Sequence, residues 1–142
     1  MKTGVYPCYD NQFQAGESNE AANTIADMES FSVSIDNGVE EWTPFDTEGW
    51  TRRLMTAKSL TISVSGKRNI SDEGNDFVAG KAFKNGKEAE GYFCWSFPDG
   101  TKIEFNDAIF NITEISTGDS TAVGPLAFDV MSNGKPTVTP VV

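Results

Sequence analysis

Strict two-residue alternation limits this chain's fold more than any other feature. In "KSLTISVSG" (58–66), Leu60, Ile62 and Val64 alternate with Ser59, Thr61, Ser63 and Ser65. Successive side chains on a strand point to opposite faces, so this run predicts a half-buried strand with one apolar and one small polar face. "FSVSIDNGVEEWTPF" (31–45) starts the same way, with Phe31, Val33 and Ile35 set against Ser32, Ser34 and Asp36. Asn37-Gly38 in its middle reads as a two-residue hairpin turn, because such turns need φ > 0 at both central positions. That turn would pair Ser34 with Glu41 and Asp36 with Val39, gathering these side chains on one surface. Matching faces predict one sheet with a polar, acidic surface free of lysine and arginine.

The rest of the chain reads in the same terms. Residues 1–28 are polar and irregular, with Gly4, Pro7 and Gly16, and predict an extended N-terminal arm. Residues 46–57, "DTEGWTRRLMTA", predict a long connection carrying Trp50, Arg52, Arg53 and Leu54. Residues 71–86 shift to a helical period, with Phe77, Val78, Ala82 and Phe83 on one face and Asn85-Gly86 as the stop. Strands are expected over 88–97 and 101–116, joined by the turn "PDG". Ile103 and Phe105 share one phase while Ala108, Phe110 and Ile112 share the other, which predicts a β-bulge at Asn106-Asp107. A last strand within 121–132 turns Leu126, Phe128 and Val130 inward, and 133–142 leaves as an extended C-terminal tail. The fold class is therefore mainly β: a β-sandwich or flattened barrel over residues 29–132, with one flanking α-helix.

Composition excludes several functions. The 142 residues hold 11 Lys and Arg against 21 Asp and Glu, a net charge of −10. A basic footprint for gripping phosphates is missing. No apolar run approaches the roughly 18 residues that span a bilayer. The first residues lack the apolar core of a secretory signal. The two cysteines, Cys8 and Cys94, are too few for a disulfide framework and fit a reduced setting. With no histidine, Ser-His-Asp and Cys-His nucleophiles are absent.

Individual motifs reduce to structure. "GKAFKNGK" (80–87) has five residues between its glycines and Glu88 after Lys87, so it fails as a phosphate loop and reads as a helix end. "DEGND" (72–76) has Phe77 where a calcium loop needs glycine, and reads as a helix start. Glu40 and Glu41 are adjacent on a strand and face opposite ways, so they are no acid–base pair. Cys94 between Phe93 and Trp95 reads as a packed side chain. Asn69 and Asn111 open glycosylation sequons that mean nothing without secretion. No catalytic, metal or cofactor site emerges.

Four stretches together resemble a known family. They are "ESFSVSIDNGVEEWTPFDTEGWTRRLMTAKSLTISVSGKRN", "GNDFVAGKAF", "FPDGTKIEF" and "GDSTAVGPLAFDVMSNGKP", covering roughly residues 29–136 in order. The sequence resembles the major tail tube proteins of long-tailed bacteriophages, in the branch infecting Gram-positive bacteria. The resemblance implies a non-catalytic structural virion protein, made in the bacterial host cytoplasm. Its partners would be copies of itself in stacked hexameric rings, tape measure, tail terminator and baseplate or tail-tip proteins, and genomic DNA in transit. In such tubes one sheet from every subunit joins a β-barrel around the lumen. Ser32, Ser34, Asp36, Glu41, Thr61 and Ser63 are then the candidate lumen-facing residues, since like-charged walls let a polyanion slide. Trp50, Arg52, Arg53 and Leu54 are the candidate contacts between subunits or rings.

Alternative readings stay open. One is a carbohydrate-binding β-sandwich stacking sugars on Trp42, Trp50 or Trp95, although Trp42 and Trp95 share the phase of core residues. Another is the tube protein of a contractile injection machine. An enzyme of unknown class is the third, and the missing histidine speaks against it.

Overall fold

The computed structural model describes residues 4–140. Residues 1–3 of the expected arm and 141–142 of the expected tail lie outside the described residues. The strands are β1 (Gln12–Gly16), β2 (Asn23–Thr24), β3 (Met28–Trp42), β4 (Arg52–Lys67), β5 (Glu90–Ser96), β6 (Lys102–Ile115), β7 (Pro125–Met131) and β8 (Thr137–Thr139). One helix, α1 (Glu73–Ala79), interrupts them. All pairings are antiparallel, in the order β2-β1-β5-β6-β7-β4-β3, with β8 added to β6.

β6 is the hinge of the sheet. Its first half pairs with β5 and β8, its second half with β7. Between them Gly91 faces Ala108 while Phe93 faces Phe105, so one extra residue sits at Asn106-Asp107, where the phase change predicts a bulge. The bulge lets Phe105, Ala108 and Phe110 all reach the same core. The sheet folds over onto itself: Phe31 on β3 meets Phe13 on β1 edge-to-face at 4.9 Å and Trp95 on β5 at 5.6 Å. No hydrogen-bonded register joins β1 or β2 to β3 among the described residues, so the barrel is flattened and open. Ile62, Val64, Leu126, Phe128 and Val130 are buried, in the phase their alternation predicts.

The helix closes one side. Asp72 caps it, accepting from the Asn75 N–H at 3.0 Å and from the Ala26 N–H at 3.1 Å. Phe77 packs on Phe110 at 5.7 Å. Gly91 allows this contact, since a Cβ there would meet Phe77 Cζ at 2.8 Å. Asn75 is fully buried. Its amide donates to the carbonyls of Ala26 (3.1 Å) and Lys67 (3.0 Å), and its oxygen accepts from Arg68 Nη1 (2.9 Å). Arg68 also pairs with Asp76 at 2.8 Å. This network clamps the start of β3 to the end of β4 and to the helix.

Several sequence expectations need correction. Asn37-Gly38 is not a turn. β3 runs through it, with Asn37 opposite Lys58 and Gly38 opposite Ala57, and the irregularity is a bulge on β4 at Thr56. Lys58 donates to Asn37 Oδ1 at 2.9 Å, filling a strand position on each side. The reversal comes instead at 43–51, where Glu48 (φ 53) and Gly49 (φ 90) take left-handed conformations and Thr47 Oγ1 donates to the Trp50 carbonyl at 2.7 Å. The connection is thus the nine residues 43–51 and not the 46–57 expected, and Arg52 to Ala57 belong to β4. The helix stops at Gly80, not Asn85-Gly86, because Lys81 and Ala82 bond back three residues and tighten the turn. In the stretch read as an irregular arm, β1 lies inside the sheet beside β5, with Ala15 buried. In the tail, Thr137–Thr139 pairs with β6.

Candidate functional site

The polar face of the sheet is built by β3 and β4. Ser32 lies opposite Ser63, Ser34 opposite Thr61 and Asp36 opposite Ser59. Directly opposed residues on paired strands share a face, and the phase is that of Ser30 and Ser65, whose hydroxyls meet at 2.9 Å. Next door, Ser63 Oγ donates to Asp129 Oδ1 on β7 at 2.6 Å, and Asn111 on β6 is level with Asp129. The surface therefore spans four strands. From Ser30 to Asp36 and from Ser59 to Ser65 its side chains are Ser, Thr and Asp. Lys58 points to the other side, and Lys67 at the margin is held by Glu29 at 2.8 Å.

Five of the six candidates for this face, Ser32, Ser34, Asp36, Thr61 and Ser63, stand together on it. Glu41 does not, which corrects its expected pairing with Ser34. With no turn at Asn37-Gly38, β3 keeps its alternation, and Glu41 falls in the phase of Phe31 and Ile35. It faces Arg53 and accepts from its Nε at 2.7 Å. Asp129, Asn111, Ser30, Ser59 and Ser65 join the face unselected. Alternation with Phe128 and Val130 marks Asp129 as outward, but only the strand order brings it beside Ser63.

The second feature is a protrusion. β7 ends against β4 at Thr61, so residues 37–42 and 52–58 pair only with each other. At roughly 3.3 Å per residue the six residues of β3 extend about 20 Å beyond the body. A free two-stranded ribbon is marginal in water. Its apolar side chains are nonetheless bare: Trp50 is 79% exposed, Phe45 fully so, and Leu54 and Met55 are exposed. Trp50 stands in the tip; Arg52, Arg53 and Leu54 are on the strand behind it. Arg52 lies over the Trp42 ring at 5.8 Å. Trp42 is thus on the hairpin and not in the core as expected, whereas Trp95 packs against Phe31 at 5.6 Å and donates to Asn11 Oδ1 at 2.9 Å. Phe45 was not selected from the sequence, although an aromatic beside proline in an acidic turn is a signal.

Titratable groups serve the fold. Burial, then a hydrogen bond to Glu104 at 2.9 Å, pushes the Tyr92 phenol far above its usual range. The Thr101 N–H, at 2.9 Å, holds Asp99 below the usual carboxylate range in the "PDG" turn. Cys8 is exposed and Cys94 buried, both free. Among the described residues no group of three or more His, Cys, Asp or Glu is placed to hold a metal, and no helix is long and apolar enough to cross a membrane.

No protein-family model matches the chain, and no curated protein matches it. Solved structures do. A chain from the tail of an empty gene transfer agent particle, refined helically with C6 symmetry, superposes with a TM-score of 0.74 at 21% identity, covering 96% of this chain and 100% of that one. A chain from the virion of a native gene transfer agent particle gives 0.72 at 19% identity, with 96% and 100% covered. A chain from the sheath-tube complex of an extracellular contractile injection system gives 0.66 at 13%, with 97% and 93% covered. The chain has the fold found in these gene transfer agent and contractile injection system assemblies.

Proposed function

We propose that this protein is a non-catalytic structural subunit that assembles into hexameric rings, stacked as the tail tube of a phage-like particle. The observation that carries this reading is the four-stranded polar face of β3, β4, β7 and the second half of β6, on a sheet with open flanks. β3 is the last strand in the sheet order, and β6 beyond Ile109 is bonded only to β7. Four alternating antiparallel strands per copy allow the β3 edge of one copy to continue the β6 edge of the next in the same antiparallel sense, closing a barrel and removing exposed edges. The C6 symmetry of the gene transfer agent tail supports the ring count.

In this arrangement Ser32, Ser34, Asp36, Thr61 and Ser63 line the lumen. A wall without cations gives a polyanion no counterion to displace and no salt-dependent grip. The long-tailed phage branch infecting Gram-positive bacteria, synthesis in the host cytoplasm, and tape measure, terminator and baseplate or tail-tip partners belong to this proposal. The likeness to the sheath-tube complex favours a second reading within the same class, the inner tube of a contractile machine, which a sheath gene beside this one would identify. The carbohydrate reading gains Trp42 as an exposed ring, with Arg52 lying over one of its two faces.

Electron microscopy of the purified protein at high concentration tests assembly: tubes support the proposal, and monomers alone at every concentration refute it. Ser34→Lys with Thr61→Lys tests the lumen. Tubes should still form, and genome ejection should slow, most at low salt. Ejection at the unaltered rate in low salt shows that another surface faces the DNA.

A further inference from the structure

The two ends of the polar sheet carry complementary chemistry. One end is the hairpin tip, residues 43–51. Phe45 and Trp50 are its bare aromatics; Asp46 and Glu48 are its charges and form no ion pair or side-chain hydrogen bond among the described residues. It has no lysine or arginine. The other end is where Ile115 faces Leu126, Leu126 faces Gly66 and Gly66 faces Met28, the level at which β3 begins. Here Ala82, Phe83, Ile112 and Ile115 line a groove of about 270 Å³. Phe83 is 92% exposed beside it, a large ring with no cover from its own chain.

The segment next to this groove is basic in an acidic chain. Residues 52–58 match its density of cations, but Arg53 pairs with Glu41, Lys58 donates to Asn37 and Arg52 lies over Trp42. Lys81, Lys84 and Lys87 fall within seven residues of a protein whose net charge is −10. Lys81 is engaged, donating to the Glu88 carbonyl at 2.8 Å and lying 4.9 Å from the Phe77 ring. Lys84 and Lys87 form no ion pair among the described residues. Glu114, the acid on the rim, accepts from Thr117 at 3.1 Å.

We propose that the hairpin tip of one copy docks on this groove in a second copy, in the next ring. Phe45 and Trp50 pack against Phe83, Ile112 and Ile115, and Asp46 and Glu48 face Lys84 and Lys87. The inference rests on the tube reading and names the contact between its rings. Tip and groove are different surfaces at opposite ends of one sheet, so the contact is heterologous and propagates without closing, as a stack requires. The charge pattern also gives direction. An acidic tip is repelled by most of so acidic a chain and accepted beside free lysines, which selects the seat.

A charge swap tests it. Asp46→Lys with Glu48→Lys, Lys84→Glu with Lys87→Glu, and all four together are compared with the unaltered protein by sedimentation and electron microscopy. Folding is followed by circular dichroism. Each pair alone should raise the concentration needed for tube growth about tenfold or more, and the four together should restore much of it. Folded pair variants that assemble like the unaltered protein, or a fourfold variant no better than the pairs, overturn the docking while leaving the tube reading intact. An unaltered protein that never forms tubes overturns the tube reading and this contact with it. A second measurement covers variants that fold poorly. Glu48→Cys with Lys84→Cys, in a Cys8→Ser background, should give a ladder of disulfide-linked copies on oxidation of tubes, and its absence refutes the contact.

Discussion

Replacing Asn75 by leucine, which keeps the volume and removes the amide, should be the most damaging single change outside the aromatic core. The amide donates both protons, to the Ala26 and Lys67 carbonyls at 3.1 and 3.0 Å, and accepts from Arg68 at 2.9 Å. Arg68 keeps its bonds to the Asn69 carbonyl and Asp76, so its loss is partial. The two carbonyls lose a donor beside a fully buried position, at about 1–3 kcal/mol each. The total is about 2–6 kcal/mol, out of a typical 5–15 for a domain. For a chain of this size, at about 3–4 °C per kcal/mol, that is a fall in Tm of roughly 6–24 °C. Urea unfolding of the unassembled subunit, followed by tryptophan fluorescence, measures it directly. The midpoint should drop with the slope unchanged. A loss below about 1 kcal/mol at constant slope would falsify the claim that this side chain clamps β3 to β4. The consequence reaches function, because the clamp sits at the base of the strands that carry the polar face. Asn75→Leu should impair tube assembly even at temperatures where the subunit stays folded.

Gly91→Ala should cost about 1–3 kcal/mol, because the added Cβ meets Phe77 Cζ at 2.8 Å and Phe110 Cε2 at 3.0 Å; calorimetry checks it. Tyr92 gives a pH dependence: its folded pKa lies above the unfolded value near 10, so its stabilisation is complete below about pH 10 and is lost as pH rises beyond it. Tyr92→Phe should flatten that alkaline loss in unfolding measured across pH 9–11. Trp50→Ser with Leu54→Ser should leave the circular dichroism of the subunit unchanged and abolish tube growth, since both side chains are exposed on the hairpin; normal tubes would remove these residues from the assembly contacts. Breaking the Glu41–Arg53 pair with Glu41→Gln should change subunit stability by less than about 1 kcal/mol, because both side chains are more than half exposed.

What the sequence determined by itself lies within single strands. The phases of Leu60-Ile62-Val64 and Leu126-Phe128-Val130, the slip at Asn106-Asp107 and the "PDG" turn are local patterns, and the structure shows the inward phases, the bulge and the turn where they fall. Side-chain alternation is a property of one extended backbone, so it needs no knowledge of the neighbour. The polar character of the Ser32, Ser34, Thr61 and Ser63 surface was legible for the same reason. Tertiary structure decided everything that depends on which strands meet. Asn37-Gly38 has the local chemistry of a turn, yet pairing with Lys58 and Ala57 continues through it, because a long partner strand supplies hydrogen bonds that a turn there would forgo. That choice moved the reversal to Glu48-Gly49, put Glu41 on the far face and turned an expected loop into a protruding ribbon. Gln12–Gly16 is too short and polar to announce itself, and becomes a strand because β5, some eighty residues away, offers it an edge and buries Ala15. Asp129 reaches Ser63 only through the β4–β7 pairing, and Phe83 faces its groove only because the helix stops at Gly80. Pairing over long separations is set by the summed packing of the whole sheet, which no window of sequence contains.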